Sequence, residues 1–379
     1  MNSLALRIPE LIKSTGNFAY FCSFSDENRI HGEETLFLGR DFKTGTDPTP
    51  LDGLQNEIPV IVSFSMVHSI WNFRNTKESY PRLVYFHPDS TEKGEYIRNK
   101  PFTGNPFSGD STDKELEGKI RKMIRSIREG EMLQIVLSRE FGPLDVDPVE
   151  RFFSFLSNDR CMYVFFYRIG PYMVLGSSPE NLITRSGRRV MIEPIAGTRK
   201  ISMDPVSNLD MEKELLSDRK ELQEHRMLVD LARNDLGKVS LHGSVQVTSS
   251  MRIRRFSSVM HIVSTVESTL REDVKNSELL KAVFPAGTVS GAPKERAIGH
   301  ILELEEDERG PYAGAVGIAS RDSMTLALAI RTLYTKDGEI YTRAGAGIVK
   351  DSIPEREMME IFMKAFTASG GELCGTVDH

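Results

Sequence analysis

Two helix-like stretches of this chain carry the spacing Glu-x-x-Glu: Glu221 and Glu224 in RKELQEHRMLVDLARNDLG, and Glu357 and Glu360 in PEREMMEIFMKAF. Residues three apart lie on one helix face, so each stretch offers two neighbouring carboxylates. Oxygen-only donors of this kind suit Mg²⁺, which one or two carboxylates hold while a substrate supplies further oxygens. The Glu-x-x-His spacing of di-iron bundles is absent, since His225 follows Glu221 by four residues and Glu224 by one. The three cysteines, Cys22, Cys161 and Cys374, are too dispersed for a zinc cluster and suggest a reducing compartment.

The two stretches differ in what surrounds their carboxylates. At about 100° per residue, Gln223, Arg226, Asp230, Arg233 and Asn234 fall on one narrow polar arc. Leu222, Met227, Leu228, Val229 and Leu231 cover the rest, which predicts a largely enclosed helix over 218–237. Glu221, Glu224, His225 and Asp235 share its buried side. A carboxylate there must be paired, capped or bound to metal. Glu221 could close a capping box with Asp218, whereas Glu224 has no such local partner. In the later stretch, Ser352 and Glu355 predict a capping box for a helix over 353–367. Glu357, Glu360 and Lys364 line one stripe of it, and Glu360 with Lys364 is an i,i+4 pair. By pattern alone this is a solvated face.

Other segments position further chemistry. His261 in VMHIVSTVES lies on the face of Val259 and Val263, the pattern of a core histidine. FPAGTVSGAPKERA (284–297) is a glycine-rich loop opening a helix, a shape suited to anions. It is not a P-loop, because Lys294 is followed by Glu295 and the glycine spacing differs. The small residues of AGAGIV (344–349) let another backbone or a ligand come close.

Residues 1–105 read as strand-rich, with NFAYFCSF (17–24), PVIVSFSM (59–66) and PRLVYF (81–86), and with Trp71 as a core residue. NKPFTGNPFSGDSTD (99–113) marks a boundary before a region over 106–369 and a tail, 370–379. That second region opens with a helix (114–129), a strand (132–141) and a helix (147–157). SSPENLI and IEPIAGTRK bracket a hairpin turning at SGRR, and GPYAGAVGIAS, LALAIRTLY and YTRAGAGIVKDS read as three strands. With 379 residues, 39% of them hydrophobic and 27% charged, the chain has the make-up of a soluble enzyme. Its net charge of −6 argues against a nucleic-acid platform. No run of eighteen apolar residues and no signal-peptide core is present, so a cytoplasmic protein without membrane contact is expected.

The ordered segments SSPE (177–180), PIAGTR (194–199), KELQEHRMLVDLARNDLGKV (220–239), VMHIVS (259–264), GTVSGAPKERA (287–297), YAGAVG (312–317), AIRT (329–332) and AGAGIVKDSIPEREMMEIFMKA (344–365) resemble the chorismate-binding enzymes. The resemblance covers roughly residues 115–368. It implies an α+β fold, with two large packed antiparallel sheets, helices outside and an active-site cleft between them. Isochorismate and salicylate synthases resemble one another in placing a Lys where this chain has Gln134, which cannot deprotonate water at neutral pH. Aminodeoxychorismate synthases typically read PIKGT where this chain has Ala196. With neither Lys present, the resemblance is to the anthranilate synthase branch, with ammonia as nucleophile.

On that resemblance, Glu224 and Glu360 bind Mg²⁺, with Glu221 and Glu357 behind them through water, which overrides the solvated-face reading. Glu180 is the general acid for the C4 hydroxyl of chorismate, and His261 acts in the second half-reaction. Tyr312, Arg331 and the backbone around Gly345, Ala346 and Gly347 bind the enolpyruvyl carboxylate. Lys364 sits near the metal-bound carboxylate, and Thr198 and Thr288 near the ring beside Ala196 and Gly197. None of FCSF, DRCM or ELCG offers a nucleophilic elbow, so ammonia is expected from a separate glutamine amidotransferase subunit in a hetero-oligomer. The early Leu-Leu-Glu-Ser element of tryptophan-sensing members is missing, and the stretch matching their Asn-Pro-Ser-Pro-Tyr-Met reads NDRCMYVFF (158–166), so feedback inhibition is not implied.

Overall fold

The computed structural model describes residues 3–25, 29–74, 80–98, 113–159, 161–202, 204–255 and 259–371. Seven helices of two turns or more occur among them: α1 (Lys114–Arg128), α2 (Pro148–Asn158), α3 (Pro205–Ser217), α4 (Arg219–Gly237), α5 (Asn276–Val283), α6 (Lys294–Leu304) and α7 (Pro354–Ser369). In α1 the apolar residues recur every three or four positions, and Leu116, Ile120, Met123, Ile124 and Ile127 are all buried. Asp113 caps its start, accepting from the N–H groups of Glu115 and Leu116 at 3.1 and 3.0 Å.

Two antiparallel sheets form the body of the fold. The first has nine strands, in the order Gly291–Ala292, Gln134–Phe141, Glu339–Ile348, Thr332–Lys336, Tyr172–Ser178, Tyr163–Ile169, Asn17–Phe24, His31–Gly39 and Ser90–Ile97. The second centres on Asn181–Ser186, Ser323–Leu328, Ala315–Ala319 and Ile58–Val62. At one end of it Val259–Thr269 pairs on one edge with Arg189–Ile192 and Ile195–Lys200, and on the other with Gln246–Arg255.

Strand alternation explains how the sheets pack. In NFAYFCSF, Ala19 and Phe21 join Phe165, Tyr167 and Val174 against Ile61, Val316 and Ala327 of the second sheet. Phe18, Tyr20, Cys22 and Phe24 point the other way, onto Phe152, Phe155 and Leu156 of α2. The first sheet is therefore covered on both faces, and Tyr167 ties it to the second by donating to the Gly317 carbonyl at 2.8 Å.

The expected boundary at 105/106 lies outside the described residues, as do Arg160 and Cys374. On its N-terminal side, strands between Asn17 and Ile97 contribute to both sheets. Three local expectations need correction. LALAIRTLY is not one strand: Ser323–Leu328 belongs to the second sheet and Thr332–Lys336 to the first, and the chain crosses between them at Ala329–Arg331. PVIVSFSM stops as a strand at Val62, and Phe64–Met66 is a 3-10 turn. Ser352 does not cap α7, whose N-cap is Ile353; its hydroxyl accepts from the Val349 N–H at 3.0 Å instead.

Candidate active site

Two crossovers between the sheets meet side by side. One runs from Tyr172–Ser178 of the first sheet through Pro179 and Glu180 to Asn181–Ser186 of the second. The other returns through Ala329–Arg331. The Leu328 N–H donates to the Glu180 carbonyl at 3.0 Å, and the Ser177 N–H to the Arg331 carbonyl at 3.3 Å. Glu180 and Arg331, 151 positions apart in sequence, are thus neighbours in the fold. Arg331 adopts φ +53°, a left-handed conformation uncommon for a residue with a side chain.

Glu180 is 9% exposed. Burial pushes its pKa up to about 7, although a hydrogen bond from Thr288 and the charge of Lys364 both pull it down. The Thr288 hydroxyl donates to its Oε1 at 2.5 Å. A carboxyl titrating near neutrality can hold a proton to deliver and release it within the working pH range.

The glutamates of α4 and α7 lie near one another, with Glu360 within electrostatic reach of Glu224. α4 is organised as its periodicity predicts: Gln223, Arg226, Asp230, Arg233 and Asn234 are exposed, while His225, Leu228 and Asp235 are buried. Asp218 caps it through the N–H groups of Lys220 and Glu221. The Glu221 carboxylate takes Arg199 at 3.4 Å, beside Gly197, whose φ is +67°. A Cβ at Gly197 would lie 3.2 Å from Glu221 Oε2. Glu224 accepts from Gln134 Nε2 at 3.0 Å. Its pKa is raised by burial first, then by the neighbouring charge of Glu221 and, more weakly, Glu360. Glu357 is likewise raised by burial and by Glu360.

Glu360 bonds Lys364 Nζ at 2.7 Å, and both side chains are about half exposed. The i,i+4 pair read from the sequence is therefore present. Lys364 also donates to the Gly345 carbonyl at 3.0 Å, which ties it to the glycine-rich strand. Tyr312 Oη lies against the same glycine, 2.6 Å from where a Cβ would stand. A Cβ at Gly347 would come within 2.7 Å of Gln134 Nε2 and 3.9 Å of Glu224 Oε1. The two glycines keep a floor open between Tyr312, Gln134 and Glu224, with Ala346 buried between them.

His261 and Thr198 close a third side. Val259–Thr269 pairs with Ile195–Lys200 so that His261 faces Thr198 and Ile262 faces Ala196. His261 Nδ1 sits 2.8 Å from the Gly197 carbonyl and 3.1 Å from Thr198 Oγ1. Only a protonated Nδ1 can donate to that carbonyl, which leaves Nε2 as the acceptor. Burial lowers its pKa to about 4, so the ring is neutral at neutral pH.

Glu180, His261, Tyr312, Arg331 and Glu360 all lie within electrostatic reach of Lys364, so candidate residues from separate segments share one neighbourhood. Among the described residues, no three His, Cys, Asp or Glu side chains converge as a ready-made metal cage. The donor set is nonetheless compatible with Mg²⁺: Glu224 of α4 and Glu357 of α7 are both raised, by burial first and then by neighbouring carboxylates, a crowding that a divalent cation would relieve. Sequence reasoning overlooked three supporting groups. Arg199 clamps Glu221, Glu214 and Asp218. Arg309, 2% exposed, donates to the carbonyls of Val289 and Val136. Lys294 pairs with Asp235. Arg199 and Lys294 stand inside the PIAGTR and GAPKERA segments, so the signal was there without a partner to interpret it.

Residues 81–369 match the model of the family described as chorismate binding enzyme. Anthranilate synthase component 1 of Aeropyrum pernix is 44% identical over 293 residues, 73% of this chain and 65% of that protein. That of Aquifex aeolicus is 46% identical over 326 residues, 83% of this chain and 64% of the relative. The matched part thus spans a little under two thirds of these relatives. The crystal structure of anthranilate synthase component I from Streptococcus pneumoniae superposes with a TM-score of 0.74 at 28% identity, covering 97% of this chain and 93% of that one. The menaquinone-specific isochorismate synthase of Escherichia coli, at 19% identity and a TM-score of 0.76, shares the fold. With its motifs in family order and residues 81–369 matching the family model, the chain belongs to the chorismate-binding enzymes.

Proposed function

We propose that this chain converts chorismate and ammonia to anthranilate, pyruvate and water, with ammonia delivered by a separate glutamine amidotransferase subunit. The observation that carries the choice within the family is the pair Gln134 and Ala196. Gln134 directs its amide N–H to Glu224, and Ala196 is an apolar residue at 9% exposure. Neither can act as base or nucleophile toward the ring, so the nucleophile must come from outside. The names of the relatives support the same reading.

Ammonia adds at C2 of the ring while the C4 hydroxyl departs, taking the Glu180 proton and leaving as water. The enolpyruvyl group is then lost as pyruvate, and loss of the C2 proton restores the aromatic ring. Thr288 orients the Glu180 carboxyl through its hydroxyl. His261, neutral and held through Nδ1, presents Nε2 as an acceptor for the second half-reaction. Arg331 and Tyr312 hold the enolpyruvyl carboxylate beside Gly345 and Gly347, where a guanidinium can make two parallel bonds. Glu224 and Glu360 would hold Mg²⁺, with Glu221 and Glu357 contributing through water. When bound, the ion neutralises and fixes the ring carboxylate.

A fluorescence assay with chorismate, Mg²⁺ and an ammonium salt at alkaline pH tests the reading. The purified chain should form anthranilate with ammonium and not with glutamine alone. Accumulation of an aminated product that keeps its pyruvyl group, or turnover without ammonia, would overturn it.

A further inference from the structure

The glycine-rich loop leaves one strong group unused. Lys294 opens α6 directly after the loop, yet it faces no open anion site: it is 5% exposed. Its ammonium donates to Asp235 Oδ2 at 2.5 Å and to the Val283 carbonyl at 2.7 Å. Val283 is the last residue of α5, so segment 284–293 begins and ends on a single ammonium. Asp235 is 4% exposed and belongs to α4, the helix that carries Glu221 and Glu224. Its other oxygen takes Lys238 at 3.0 Å, at the surface.

Inside the segment, Gly287 packs directly on Leu231 of α4, where a Cβ would clash with the Leu231 methyl. Thr288 follows and donates to Glu180. Glu180, Leu228, Leu231, Asp235, Gly287 and Thr288 line one small cavity. On the far side, Arg309 holds the Val289 carbonyl at 2.8 Å. Thr288 is thus gripped between an anchor on α4 and a second on Arg309.

We propose that Lys294 and Asp235 form a positioning pair that holds Thr288 against Glu180, so that the acid is aligned from the helix bearing the glutamates. The inference rests on the reading of Glu180 as the acid. A buried ion pair is by itself weak evidence for stability, because desolvation offsets the attraction. This pair closes a ten-residue segment at both ends and fixes it to a second helix, which an apolar contact cannot do with the same direction.

The test is the high-pH limb of kcat, measured on the full chain with saturating chorismate, Mg²⁺ and ammonium. The charge acting on Glu180 is Lys364 from α7, which favours its ionised form; Asp235 lines the same cavity without shifting it. D235L/K294M removes both members of the pair with net charge unchanged, and neither member shifts Glu180 in the wild type, so the limb reports geometry. Losing the Thr288 hydroxyl withdraws a bond that favours the carboxylate, so T288V should move the limb up by about one pH unit. D235L/K294M should move it the same way by at least half as much. The triple variant should move it no further than T288V, since both act through one contact. If the apolar pair does not fold, D235N/K294Q is read in the same way. A limb that stays in place in the pair variant while T288V shifts it overturns the inference alone. Shifts that add in the triple variant do so too. If E180Q retains both turnover and the limb, the reading of Glu180 falls, and the inference with it.

Discussion

The Glu180 corner and the Glu360 corner use the same side chain in opposite surroundings. Glu180 is 9% exposed, takes one hydroxyl hydrogen bond, and has a pKa of about 7. Glu360 is about half exposed and already paired with Lys364. The buried environment favours the protonated carboxyl that can give a proton away; the exposed one leaves a carboxylate beside a cationic partner. The difference arises from topology. Glu180 sits where two sheet crossovers are hydrogen-bonded together, whereas Glu360 sits on an outer helix turned toward the cleft. On the proposed reading, the part each glutamate plays follows from where it is buried, more than from its being a glutamate.

The largest expected effect separates the two corners directly. Glu180→Gln keeps the shape and the Thr288 contact but removes the proton, and turnover should fall by ~10²–10⁴-fold, the usual weight of general acid catalysis. The Mg²⁺ requirement of the residual activity should stay unchanged. A Glu180→Gln enzyme within threefold of wild type would remove the distinction between the corners.

Glu360→Gln should do the converse. Half-maximal activity should need at least the roughly 10–100-fold more Mg²⁺ seen when even an outer metal partner is lost, and the pH profile should keep its shape. Unchanged metal dependence would return Glu360 to a surface pair with Lys364.

His261→Met sharpens the order of events. If His261 acts after amination, anthranilate formation should slow by about 10–100-fold, while the aminated, pyruvyl-bearing intermediate accumulates and is visible by chromatography. Finding only unreacted chorismate would move His261 to the first step or to structure. Because its pKa is lowered to about 4, wild-type turnover should show no limb from this ring between pH 6 and 8.

Much of this was legible from the chain, for identifiable reasons. The α4 polar arc was readable because a 3.6-residue period survives burial on the other face. The Glu360–Lys364 pair was visible too, but spacing alone cannot tell a cleft from bulk solvent, and the pattern pointed to a solvated face. Only the bond from Lys364 to the Gly345 carbonyl orients it. Arg331 was hidden inside what read as a continuous strand, because apolar runs on either side of a crossover look alike whichever sheet they join. Lys294 and Asp235 are 59 positions apart, and no local period connects them. Likewise, nothing near Glu180 in sequence announces that its partner is Thr288.

For stability, burial of the Glu180 carboxyl should carry a cost. Glu180 has its folded pKa raised from 4.5 to about 7, so between these values the unfolded chain ionises while the folded chain does not. Folding is unpenalised below pH 4.5, loses stability as pH rises toward 7, and stays lower above it. A shift of this size corresponds to at most about 3 kcal/mol. Glu180→Gln removes the titration, so the variant should match wild type at pH 4.5 and melt a few degrees higher at pH 8. His225 and His261 act in the opposite sense, since burial lowers both to about 4 and stability falls as pH drops from 6.5. Both remain in the variant, so their contribution cancels in the difference between the two proteins. Thermal melts of wild type and Glu180→Gln across pH 4.5–8 settle the matter. A difference that does not change with pH would mean that folding does not raise the Glu180 pKa, and that the contrast between the two corners lies in exposure alone.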